Sequence, residues 1–134
     1  MIRTPLIIAL LATPQALFAQ DEAAALQGVI ENQMRAFEAR DISRAFSFAS
    51  PMIQRLFGSP ETFGQMVETG YPMVWNNADI VFLDARRMGM QIVQRVMVTD
   101  TDGIAYMLDY YMVPTQSGWR INGVDLVPSS DLSA

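Results

Sequence analysis

Arg95-Val-Met-Val-Thr-Asp-Thr-Asp-Gly-Ile-Ala-Tyr-Met-Leu-Asp109 is the stretch whose reading decides the fold class. Apolar residues recur at every second position on both sides of Thr101-Asp102-Gly103, the signature of two antiparallel strands joined by a tight turn. With those three residues as the loop and Gly103 left-handed, Asp100 faces Ile104 and Arg95 lies opposite Asp109. The same register sets Val98 against Tyr106 and Val96 against Leu108 on one face, and Met97 against Met107 and Val93 against Tyr111 on the other. A two-residue turn at Asp102-Gly103 would instead put Asp109 against Val96 and leave its carboxylate free for chemistry. Agreement of the apolar partners favours the first register, which makes Arg95 and Asp109 a structural ion pair worth about 0.2–1 kcal/mol.

Outward from this hairpin the period of two continues. Strands are expected at 79–87, 90–99, 104–113 and 119–127, separated by Met88-Gly89, the loop just described, and Pro114-Thr-Gln-Ser-Gly118. Short connections make them an antiparallel meander, because a parallel pair needs a crossover of a dozen residues or more. Before Ala78 the period is helical. Leu26, Val29, Ile30, Met34 and Phe37 have i, i+3, i+4 spacing over 21–40. Asp41 is placed to cap a short helix through Phe46, a core candidate, and Ser50-Pro51 and Ser59-Pro60 each put a capping hydroxyl before a proline at the first helical position. Helices at 51–57 and 60–69 follow, with Gly58 and Gly70 as stops. Tyr71-Pro72 is expected to return the chain to extended backbone. Helices first and sheet second is the pattern of an α+β domain, with a curved sheet folded over helices on one face.

The chain's 134 residues begin with one cation, Arg3, then an apolar run too short to span a bilayer. Pro14, the small residues Ala16 and Ala19, and the first acids Asp21 and Glu22 come next, in the order of a cleavable signal peptide over residues 1–19. A single domain over 20–128 and a polar, flexible tail over 129–134 complete the expected organisation, with a periplasmic or secreted location. Contact with a membrane is expected only through the transient leader. Loss of Arg3 with the leader would leave eight arginines against fourteen acids, scattered rather than clustered, so nucleic acid is not an expected partner. The absence of Cys and His removes disulfides, thiol nucleophiles, Ser-His triads and nearly all zinc sites. No acidic cluster has the spacing of a calcium loop, and no metal or cofactor is expected.

Ala49-Ser-Pro-Met-Ile-Gln54, Phe57-Gly-Ser-Pro-Glu-Thr-Phe63, Met66-Val67, Gly70-Tyr71-Pro72 and Gly118-Trp-Arg-Ile-Asn-Gly123 together resemble a bacterial family, domain of unknown function 4864. The order of elements is also similar to the wider cone-shaped superfamily of nuclear transport factor 2, ketosteroid isomerase and polyketide cyclases. The resemblance implies a bent sheet wrapped over a long first helix with a pocket between them. It carries over no catalytic residues, and Val124 stands where it implies a Cys. That superfamily hosts enzymes, adaptors and binding domains alike, so the fold by itself implies no activity.

Trp119, Tyr106, Tyr110, Asp125, Met34, Phe63 and Trp75 are the pocket candidates. Each has a plainer reading as core, since Tyr on a strand is usually half-buried packing and Met fills irregular gaps. The expected function is therefore a small-ligand-binding or protein-interaction module. Its expected partners are a small apolar ligand and a second copy of the chain through the outer sheet face. The alternative is a cofactor-independent isomerase, cyclase or dehydratase using a strand carboxylate and a Tyr, chemistry that one well-studied enzyme performs in an apolar cavity. Exported protein should have the intact mass of a chain beginning at or within two residues of Gln20; a mature species retaining residues 1–15 would contradict the leader.

Overall fold

A computed structural model describes residues 14–128; the expected tail, and all of the expected leader before Pro14, lie outside the described residues. Among these residues five helices precede four strands: α1 (Pro14–Glu38), α2 (Ile42–Ser47), α3 (Pro51–Phe57), α4 (Pro60–Gly70), α5 (Pro72–Trp75), β1 (Asn77–Met88), β2 (Gln91–Asp100), β3 (Ala105–Thr115) and β4 (Gly118–Leu126). The sheet order is β1-β2-β3-β4 and every pairing is antiparallel. The protein is an α+β domain of N-terminal helices and a four-stranded meander.

Three boundaries differ from expectation. Within the described residues helix α1 already runs from Pro14, ahead of the expected start at residue 21. It stops at Glu38 because Arg40 takes a left-handed φ of 57°. The Asp41 N–H then bonds the Ala36 carbonyl at 2.8 Å and the Arg40 N–H bonds Phe37 at 3.1 Å, which closes the helix in the six-to-one, five-to-two pattern usually built on glycine. Arginine is useful here for its side chain, which donates to the Trp75 carbonyl and to Asn76 Oδ1 and lies 4.2 Å from the Trp75 ring. Tyr71-Pro72 does not restore extended backbone. Pro72 opens the single turn α5 instead, and Asn77 then ties that turn to α1 by donating to the Val74 and Met34 carbonyls.

The β2–β3 hairpin uses the three-residue loop. Gly103 has φ 81°, the Asp100 N–H bonds the Ile104 carbonyl at 2.9 Å, and Arg95 faces Asp109. Arg95 Nε and Nη2 donate to the two Asp109 oxygens at 3.0 and 3.1 Å, the bidentate geometry that a planar guanidinium matches best. The inner face presents Val96, Val98, Leu108, Tyr110, Met112 and Ile121 to Leu26, Ile30, Met34 and Phe37 of α1, all of them buried. Each such aliphatic or aromatic side chain contributes about 1.5–3 kcal/mol when fully removed from water. Phe46, expected in that core, is only half-buried and packs on its margin through the Phe63 ring. A six-residue helix turns too little of its surface inward to bury both Ala45 and Phe46, and it buries Ala45.

Among the described residues five polar side chains are buried, and Gln94 is buried most completely. Gln94 is 0% exposed on β2, opposite the register shift between Phe82 and Ala85 that bends β1. Its amide nitrogen donates to the Leu83 and Arg95 carbonyls, both at 2.9 Å, and its oxygen accepts from Gln27 of α1 at 3.3 Å. The side chain therefore satisfies backbone that the bulge removes from the ladder. Gln94→Leu should lower the urea midpoint by about 1–3 kcal/mol equivalent without changing the m-value, because it leaves the Leu83 carbonyl unpaired. An unchanged midpoint would mean that the clamp contributes nothing.

Candidate functional site

The β3–β4 ladder slips by one residue between Tyr111 and Met112, so Tyr111 faces Gly123, Met112 faces Ile121, and Asn122 stands outside the pairing. Asn122 Oδ1 accepts from the Ser50 hydroxyl at 2.8 Å. Beside it the Ser50 N–H bonds the Ile121 carbonyl at 2.8 Å and the Ile121 N–H bonds the Phe48 carbonyl at 2.9 Å, making Ala49 a parallel bridge partner of Ile121. Ser50 does double duty, because its oxygen also accepts from the Ile53 N–H at 3.2 Å and so caps α3. Pro51 follows at the first helical position and Gly58, at φ 80°, ends the helix. Gln54 fixes the near end by donating to the Phe46 and Ala49 carbonyls.

Anchored in this way, α3 stands over the opening between the helices and the lower half of β4. None of its residues is buried, and Leu56 is 70% exposed. Beneath it lies a cavity of about 270 Å³. One wall is aromatic: Phe63 sits 6.1 Å from Phe37 in a stacked arrangement and 5.9 Å from Phe57 edge-on, pairs worth about 0.5–1.5 kcal/mol each beyond their burial. Ile53, Met66, Val67 and Ile121 continue the apolar lining, while Tyr71, Tyr111 and Asp125 stand where β4 forms the rim.

The polar groups here are few and mostly committed. Gln33 donates to the Ala45 carbonyl at 3.1 Å. The Tyr71 hydroxyl donates to the Val124 carbonyl at 2.7 Å, and burial, then the Asp125 charge, raise its pKa. Tyr111 donates to Asp125 Oδ2 at 2.8 Å, a hydrogen bond that is the largest of the causes raising its pKa. Tyr110 is different: it is 1% exposed and its hydroxyl has no hydrogen-bond partner among the described residues. Burial, with a smaller contribution from Tyr71, pushes it far above the usual phenol range. It can donate a proton in a hydrogen bond but cannot serve as a base.

Of the sequence candidates, Tyr110, Asp125 and Phe63 line this cavity. Met34 packs in the core beside Asn77, and Trp75 is held beneath Arg40 and against Phe37. Tyr106 is half-buried at the far end of β3, where it pairs with Val98, and Trp119 pairs with Pro114 at the start of β4. Asp109 is 6% exposed but lies on the opposite face from Tyr110, held by Arg95. Gln33, Ile53, Leu56 and Tyr71 were not singled out by sequence. The available signal was α3 itself, a short helix whose Met52, Ile53, Leu56 and Phe57 leave almost no polar face. Among the described residues, no group of three or more potential ligands gathers as a metal site, and no helix is long and apolar enough to cross a membrane.

The chain belongs to the family described as Domain of unknown function (DUF4864), whose profile matches residues 19–134. No match is found among curated proteins or among solved structures.

A phenol held neutral by burial leaves stability independent of pH below its unfolded pKa of about 10 and lowers it as pH rises further, since the unfolded chain then releases the proton more readily. Stability should therefore fall above about pH 10, and Tyr110→Phe should flatten part of that decline, Tyr71 and Tyr111 supplying the rest. At neutral pH the same substitution should be neutral or slightly stabilising, because it removes an unsatisfied hydroxyl. A loss of more than about 1 kcal/mol at pH 7 would show that the hydroxyl has a partner.

Proposed function

We propose that this domain binds a small, largely apolar ligand in the cavity under α3. The observation that carries the reading is the cavity's lining: other clefts among the described residues are as large, but this one, of about 270 Å³, is walled by Phe37, Phe63, Ile53, Met66 and Val67. Concave sites lined mainly by apolar and aromatic side chains with a few polar groups are the usual form of small-molecule pockets. An apolar cavity of about 150 Å³ holds benzene, so the space suits a ligand with a single ring and a short substituent, below the size of a steroid.

The enzymatic alternative needs a carboxylate facing a donor inside the cavity. Asp109 is on the other face with a guanidinium across it, and Asp125 is exposed at the rim. These placements favour binding over catalysis. Self-association through the outer face is a second reading, carried by the exposed Val81 and Leu83 on β1. The helices-then-meander order, with a cavity between the layers, supports membership of the superfamily of nuclear transport factor 2 and ketosteroid isomerase. The leader grammar of residues 1–19 supports export to the periplasm or beyond.

Titration of the full chain with small aromatic and branched aliphatic alcohols, followed by amide and methyl NMR, tests the binding reading. Shifts should concentrate on Phe37, Phe63, Val67 and Ile121. Ile53→Trp, a half-buried rim position that can be enlarged without entering the core, should weaken binding at least tenfold, about 1.4 kcal/mol, with little change in Tm. Saturable binding unaffected by Ile53→Trp would place the ligand elsewhere.

A further inference from the structure

Charge at the mouth narrows the ligand class. Among the described residues that line the cavity there is one charged side chain, the carboxylate of Asp125, and no arginine. Asp109 lies directly across the ladder from Asp125, and Arg95, next in that row, is held by both Asp109 oxygens; the other cations are committed elsewhere or set back. Arg120 donates to its own Trp119 carbonyl and faces Phe48, and Arg86, whose charge reaches Tyr111, belongs to the far strand of the Tyr111 row and is not part of the lining. Tyr111 supplies a single hydrogen bond to Asp125 Oδ2, which orients the carboxylate without neutralising it. The Tyr71 hydroxyl, the other polar group at the rim, spends its proton on the Val124 carbonyl and so offers only its lone pairs to an incoming donor.

We infer that the ligand is a compact amphiphile with an apolar body and a protonated amine, the ammonium standing between Asp125 and the Tyr71 oxygen while an aromatic or branched body fills the space against Phe63. This rests on the ligand-binding reading above and assigns its polar end. An ammonium brings three donors to a rim that presents acceptors, whereas a carboxylate of the same shape would meet Asp125 with like charge and find no cation in the lining. Asp125 is exposed, so the preference is modest and salt-sensitive. Specificity in this arrangement comes as much from rejecting acids as from attracting amines.

Phenethylamine, phenethyl alcohol and phenylacetate present one body with a cationic, neutral or anionic head. Their affinities for the full chain, measured by NMR titration at low and at high salt, separate the two levels of the argument. At low salt the amine should bind about two- to fivefold tighter than the alcohol and the acid more weakly than both, with the differences shrinking at high salt. Asp125→Asn, which keeps an acceptor for Tyr111, should bring the amine and alcohol affinities together. Binding of the alcohol with no preference for the amine, or with phenylacetate tightest, overturns the amine assignment and leaves the cavity reading standing. An amine preference that survives Asp125→Asn also overturns it. Failure of all three compounds to shift the cavity resonances overturns the binding reading and the inference together.

Discussion

The free edge of β4 is the constraint on which the rest of this structure depends. β4 has a strand neighbour on one side only, and its outward N–H and C=O groups need partners or water. The chain closes the edge at two points and not between them. Residues Phe48 to Ser50 bridge Ile121 by two backbone hydrogen bonds, and the Tyr71 hydroxyl reaches the Val124 carbonyl. The first closure requires the slipped register that frees Asn122, and it fixes where α3 starts. The second draws the end of α4 towards the sheet. The gap left between helices and strand is the cavity, and the stretch of β4 around Gly123 is its rim.

This origin explains the chemistry of the site. A gap made by bridging backbone inherits a lining from side chains that were already inward-facing, so it is aromatic and aliphatic with few polar groups. Those it has are already used: Gln33 holds α2, Tyr71 holds the edge, and Tyr111 holds Asp125. Tyr110 is the exception, an unpartnered hydroxyl sealed from water beside the cavity floor, a configuration costing about 1–3 kcal/mol. The carboxylate best placed by sequence for catalysis, Asp109, is withdrawn from the cavity by the alternation of the strand and paired with Arg95.

The sheet was the most legible part of the sequence. Period-two patterning and the Gly103 turn carry enough information to place Arg95 opposite Asp109, because a slip of one residue would turn every apolar partner to the wrong face. Helix caps were legible for the same local reason: Ser50 and Ser59 each accept from the N–H three residues on. The cavity was far less legible. Tyr110, Asp125 and Phe63 could be proposed by residue type, but Trp75 and Trp119 look equally suitable until the register slip at Asn122 and the Ala49–Ile121 bridge are known, and both are long-range contacts with no periodic signal. The segments that resemble the family, Ala49 to Gln54 and Gly118 to Gly123, meet at that bridge. Gln94 was missed because a glutamine on an alternating strand gives no hint that a bulge opposite will bury it.

Ligand binding under α3 requires an apolar space that persists in solution. Xenon diffuses into apolar voids and needs no polar contact, so it reports the space independently of any ligand chemistry. A crystal of the protein pressurised with xenon should show an ordered atom bounded by Phe37, Phe63, Val67 and Ile121. Absence of xenon there, with Phe57 and Met66 moved inward to fill the volume, would contradict the account.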